Sequence, residues 1–207
     1  MAEALERSVR ISDKLFENHP GLCDANSRAD HATRLFGLAL DHREAIILLV
    51  NVGARSSAYA LVRSVYEACF RGLWVRYVAT DQQLTTMQQG ISPKFESIVK
   101  QLSRIPGAAA SEVFGKSKAL AWDAFCDYSH GGARQLQRWQ SGNDIGPSHP
   151  DHEIPGLLLL LDHLALAASI GVHDANGTGS TPGDALFAEL RNALSLMERS
   201  QAPTHAK

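Results

Sequence analysis

Residues 55–79 read RSSAYALVRSVYEACFRGLWVRYVA, and this stretch decides the fold. Val62, Val65, Tyr66, Cys69, Phe70, Leu73, Val75 and Val78 leave almost no polar face. The stretch shows no period-two alternation, so it predicts a helix over 57–79 buried on most sides. Three of its charges fall on one line: Arg63, Glu67 and Arg71 stand at i, i+4 and i+8. Tyr59 precedes that line and Trp74 follows near it.

Outward from this helix the same pattern continues. Helices are expected at 2–18, ending at His19-Pro20-Gly21, and at 28–52, with Ser27 as N-cap and Gly53 as the break. A short segment runs from Thr80-Asp81 to Gln89. Ser92-Pro93 signals a helix start, and that helix reaches Arg104 before Pro106-Gly107. Further helices are expected at 111–130, 133–140, 154–170 and 183–199, with loops at 141–151 and 173–182. Residues 154–170 are again apolar nearly all round. The expected architecture is all-α: a single helical bundle of about seven helices, with 57–79 and 154–170 inside it. Residues 1–26 form an N-terminal helix and loop, 27–199 the bundle, and 200–207 a tail that frays.

The chain has 207 residues, 44% of them hydrophobic and 20% charged, which is the composition of a globular protein. Twenty basic and 22 acidic residues leave a formal charge of −2. That balance argues against broad nonspecific nucleic-acid binding, which needs a basic field. The three cysteines, Cys23, Cys69 and Cys126, are far apart and form no Cys-x-x-Cys motif, as expected of free thiols in a reducing compartment. No signal peptide is expected in residues 1–16. The longest apolar stretch, 156–172, contains Asp162 and His163 and is too short and polar for a membrane span. These features place the chain in the cytoplasm.

Three constellations could carry chemistry. The first is Arg63/Glu67/Arg71. It reads as an internal ion-pair ladder, as the lining of a ligand cleft or as an exposed stripe. The ladder leaves one positive charge, and burying that charge unpaired costs several kcal/mol. Asp162 or a bound anion such as phosphate would neutralise it. Arg43, on the apolar side of its own helix, could enter the same interior.

The second is Asp123, Asp127 and His130, with Tyr128 and Ser129, before Gly131-Gly132. A carboxylate beside an imidazole suits acid–base chemistry. Two helical turns, about 10 Å, separate Asp123 from His130, too far for all three to close on a metal. A solvated helix face is the alternative. The third is His149-Pro150-Asp151-His152-Glu153, which matches no metal motif. Asp151 or Ser148 is expected to cap the following helix. GxGxxG, Walker A, GxSxG and EF-hand patterns are absent.

A long apolar helix, a break and an Arg-x-x-x-Glu-x-x-x-Arg helix, followed by Tyr128-Ser129-His130, resemble a group of uncharacterised bacterial all-helical proteins. The resemblance covers about residues 28–170 and implies the all-α fold. A more distant likeness is to the HEPN superfamily, helical bundles that include defence-related ribonucleases. Their Arg-x4–6-His hallmark is matched only by Arg199 and His205, in the tail. The expected role is a noncatalytic binding or interaction module without metal or cofactor. Its candidate cleft is Arg63, Glu67, Arg71, Tyr128, Ser129, His130 and Asp162. Its candidate partners are a second copy, another protein or a phosphate-containing ligand. The alternative is a HEPN-like nucleotide- or RNA-binding protein or ribonuclease using the same cleft.

Overall fold

The computed structural model describes residues 1–17, 27–105, 122–178, 186 and 188–193. It is an all-α bundle. The helices are α1 (Ala2–Glu17), α2 (Arg28–Asn51), α3 (Arg55–Tyr77), α4 (Asp81–Gln88), α5 (Phe95–Leu102), α6 (described over 122–129), α7 (Ala133–Gln137) and α8 (Ile154–Asn176). A further helix, α9, is described over 188–193.

Local signals explain most of the boundaries. Ser27 caps α2 by accepting from the Asp30 amide at 3.0 Å. Thr80 and Gln83 form a reciprocal capping box on α4. Four expectations need correction. The Ser92-Pro93 pair does not start α5; Lys94 occupies the N-cap, while the Pro93 carbonyl turns toward Arg71. Residues 140–145 hold a two-stranded hairpin, Gln140–Ser141 against Asp144–Ile145, with Gly142 at φ +62° supplying the turn. Neither Asp151 nor Ser148 caps α8; a 3-10 turn, Asp151–Glu153, leads into it instead. Helix α8 runs to Asn176, past Gly171, and ends at Gly177 in the left-handed region. The expected loop at 173 therefore begins after Asn176.

The Gly171 miss has a packing cause. A Cβ there would lie 2.4 Å from the Phe36 ring, and one at Gly72 would lie 2.6 Å from the same ring. Phe36 is fully buried between α3 and α8. Both glycines let a helix backbone close onto it, so neither breaks its helix.

Helices α3 and α8 are central, as expected. Helix α2 packs along α3 and α8, and α8 also meets α1. The main core takes in α2, α3, α5 and α8, while Ile11 and Leu15 of α1 join Leu159, Ala165, Leu166, Leu186 and Leu190 in a smaller one. Cys69 is fully buried beside the Leu164 carbonyl, and burial pushes its thiol up to about 12, so it packs as a small apolar group. Helix α8 is long and apolar enough to cross a bilayer, yet 67% of its apolar window is buried in the bundle.

A polar cluster ties α1, α2 and α8 together. Arg43 and Asp162 are both fully buried. Arg43 Nη2 donates to Asp162 Oδ1 (2.7 Å) and to the Ser8 carbonyl (2.8 Å). Arg43 Nη1 donates to Ser12 Oγ (2.7 Å) and Glu44 Oε1 (2.6 Å). Asp162 Oδ2 accepts from Ser8 Oγ (3.0 Å) and Arg7 Nε (3.2 Å). Two guanidiniums and two carboxylates balance.

Removing one side of a buried, hydrogen-bonded pair strands the other. Asp162→Ala is expected to lower the unfolding free energy by about 3–5 kcal/mol in urea denaturation, and pairing Arg43→Met with Asp162→Leu to recover most of that loss. Gly171→Ala is expected to cost about 1–3 kcal/mol through overpacking against Phe36. Phe36→Leu should recover part of it in the double variant.

Candidate functional site

A line of polar side chains runs the length of α3: Arg55, Tyr59, Arg63, Glu67 and Arg71, each four residues after the last. On a helix this apolar, the line forms a narrow seam.

In its middle, Arg63 Nε donates to Glu67 Oε1 at 2.7 Å, and Arg71 Nη2 lies 3.6 Å from Glu67 Oε2. The ladder therefore exists. It is half-buried: the side chains of Arg63, Glu67 and Arg71 retain 25%, 23% and 21% of their exposure. Among the described residues no other carboxylate reaches either arginine. Arg71 Nη1 also donates to the Pro93 carbonyl, at 3.4 Å. The Arg63 guanidinium lies 5.0 Å above the Trp122 ring of α6, and its Nη1 donates to His130 Nε2.

Helix α6 delivers His130 by its C-terminal geometry. Gly131 adopts φ +69°, and the Gly132 amide donates back to the Asp127 carbonyl at 2.7 Å. Gly132 packs so closely that a Cβ would lie 2.8 Å from Asp127 Cα. Ser129 fastens α6 to α3 through its hydroxyl, 3.0 Å from the Ala60 carbonyl and 2.8 Å from that of Phe125. Tyr128 leans on Tyr59, with ring centroids 5.0 Å apart.

Six of the seven residues expected in the cleft thus line one seam, and Asp162 does not. It lies with Arg43 on the α1–α2–α8 side, so neither neutralises nor joins the arginine line. Trp74 is also turned away: it is fully buried and donates to Gln101 Oε1 at 3.1 Å. Asp127 is taken up by the α6 C-terminus and Arg134, 3.9 Å away, while Asp123 is exposed. No three His, Cys, Asp or Glu side chains gather as metal ligands among the described residues.

Sequence reading missed the upper end of the seam. His149, 3% exposed, stacks on Tyr59 with centroids 4.5 Å apart and rings 17° from parallel. Its Nε2 lies 3.3 Å from Ser56 Oγ, and its Nδ1 is buried without a hydrogen bond. Arg55 donates to the His149 carbonyl and pairs with Asp151. Glu153 takes Arg138 and lies 3.4 Å from the Tyr59 hydroxyl. Burial, with Glu153 and Tyr128 nearby, pushes the Tyr59 phenol well above its usual range, so it stays protonated. Burial chiefly, then the Arg138 charge, holds His149 below the usual imidazole value; Glu153 opposes the shift and Arg55 adds to it. Tyr59 already precedes the line in the sequence, and one more four-residue step back from it would have flagged Arg55. The sequence carried no signal that His149 returns to that line.

No curated protein and no solved structure matches the chain. A family model does, described as a family of unknown function, DUF6988, over residues 36–176. The match begins at Phe36, the ring clasped by Gly72 and Gly171, and ends at the last residue of α8. It spans the whole seam and more than half the chain, and so the chain belongs to the DUF6988 family.

Proposed function

We propose that the protein is a noncatalytic binding module whose α3 seam takes an anionic group, phosphate or carboxylate, at Arg71 with Arg63 beside it. One observation carries this reading: among the described residues, two partly exposed guanidiniums share a single carboxylate, which leaves one positive charge unmatched. Both contacts of Arg71 are long, 3.6 and 3.4 Å, so an anion can displace them at little cost. Guanidiniums suit bidentate capture of such groups.

The same geometry argues against nucleophilic chemistry. The Ser129 hydroxyl is directed at backbone carbonyls and not at an imidazole. His130 Nε2 already accepts from Arg63. A nucleophile needs a base within hydrogen-bond reach.

A second reading is favoured by the Arg63–His130 contact, which puts a guanidinium and an imidazole together. This reading is a HEPN-like RNA-binding protein or ribonuclease. The Arg199–His205 match to that superfamily's hallmark falls outside the described residues.

A thermal-shift titration separates these readings. Millimolar inorganic phosphate is expected to raise the Tm of the wild type. At one hundred times Kd the gain is about 2.7 kcal/mol. Arg71→Gln is expected to fold and show no shift. An unchanged wild-type Tm overturns the anion site. Cleavage of a short RNA by the wild type, without metal and lost in His130→Ala, would install the second reading.

A further inference from the structure

Residues 122–150 lie across the upper half of the α3 seam. Trp122, stacked on Phe95 with centroids 4.4 Å apart, and Phe125, 5.5 Å from the Tyr66 ring, anchor the start of the segment in the core, and beyond them the hold is slight. Among the side chains described there, only Phe125 and His149 are buried. After Phe125 the segment's contacts on its neighbours are polar or through tilted rings and two histidines: Ser129 on the Ala60 carbonyl, Tyr128 on Tyr59 and Arg138 on Glu153. A segment with so little buried apolar surface opens more readily than the helices beneath it.

Both histidines bear on arginines. His130 meets Arg63, which offers only donors, so Nε2 can take that hydrogen bond only while it carries no proton. Glu67 is the carboxylate nearest this contact and is itself held by Arg63 and Arg71. On the histidine's own segment, Asp127 is engaged with Arg134. His149 faces Arg55, Ser56 and Tyr59 from α3, Tyr128 from α6, Arg138 from α7, and Glu153 from the turn before α8. Of these, Glu153 is committed to Arg138, and Asp151 nearby to Arg55. Among the described residues the His149 ring therefore has no carboxylate free to partner an added proton.

We propose that residues 126–150 form a strap that lies on α3 only while His130 and His149 are neutral, and that mild acid releases it from an otherwise folded bundle. Release uncovers Tyr59 and Arg63. For His149 the sign follows from the burial and the arginines, which favour the neutral ring when docked. Docking is then fully supported above the ordinary imidazole value of about 6.5 and weakens as the pH falls below it. The Arg43–Asp162 cluster, which holds α1, α2 and α8, contains no histidine. The strap does not depend on the anion reading.

Hydrogen–deuterium exchange at pH 7.5 and at pH 5.5, corrected for the intrinsic rate, tests it. Peptides within 126–150 are expected to lose protection at least tenfold at the lower pH, while those of α2 and α8 keep theirs. The double variant His130→Gln, His149→Gln presents non-titrating acceptors and is expected to hold the strap at both values. Equal strap protection in the wild type at both values overturns the proposal, whatever the variant does. So does opening of α8 together with the strap, or acid release that persists in a folded double variant.

Discussion

A guanidinium with no exposure at all sits where three helices meet, and the bundle is arranged around it. Taking Arg43 and Asp162 out of water costs several kcal/mol per ion, repaid only if the geometry closes. Any packing of α1, α2 and α8 that leaves the pair apart is penalised by that amount. The contact therefore selects one arrangement more than it adds net stability. It also works with a second fixed point. Arg43 meets Asp162, and Phe36, seven residues earlier on α2, meets Gly171, nine residues later on α8. By helical rise these intervals are about 10 and 13 Å, so two apposed, antiparallel helices are pinned at both ends of one contact.

Helix α3 inherits its orientation from this clamp. Gly72 seats it on Phe36, which sends the polar line away from the α2–α8 interface. Four residues overshoot a helical turn by about 40°, so the line from Arg55 to Arg71 winds around α3. Its upper part, Arg55 to Arg63, meets the segment from Trp122 to Glu153. Its lower end at Arg71 meets the Pro93 carbonyl before α5. One helix thus presents a single polar line to two different neighbours.

What could be read from the sequence follows from what is local. Apolar periodicity gave the all-α class and the two central helices, and Ser27 and Thr80 announced their helices through their own cap bonds. The Arg63–Glu67 bond, one turn long, was legible for the same reason. Failures came where a distant residue decides. Gly171 reads as a helix end until Phe36, 135 positions earlier, fills the space a side chain would need. Asp162 reads as a partner for any buried arginine, and only the rotation of α8 assigns it to Arg43 rather than to Arg63. His149 reads as part of a polar loop, and its stacking on Tyr59 depends on how the chain returns from α6.

Energy scale separates the two charged clusters. An exposed or half-exposed i,i+4 ion pair stabilises a helix by about 0.3–0.5 kcal/mol. Two such pairs on α3 cannot match what burial of one more leucine or valine would contribute, about 1.5–3 kcal/mol. Three charges on a helix otherwise built for the core are therefore a poor device for stability. The Arg43 cluster is different, because its central pair, Arg43 and Asp162, is fully buried, its charges are matched, and its contacts join three helices. The α3 seam is half-buried, and among the described residues its two arginines share one carboxylate. Those properties cost the helix packing without a matching gain in stability, and they are the ones the proposed anion site requires.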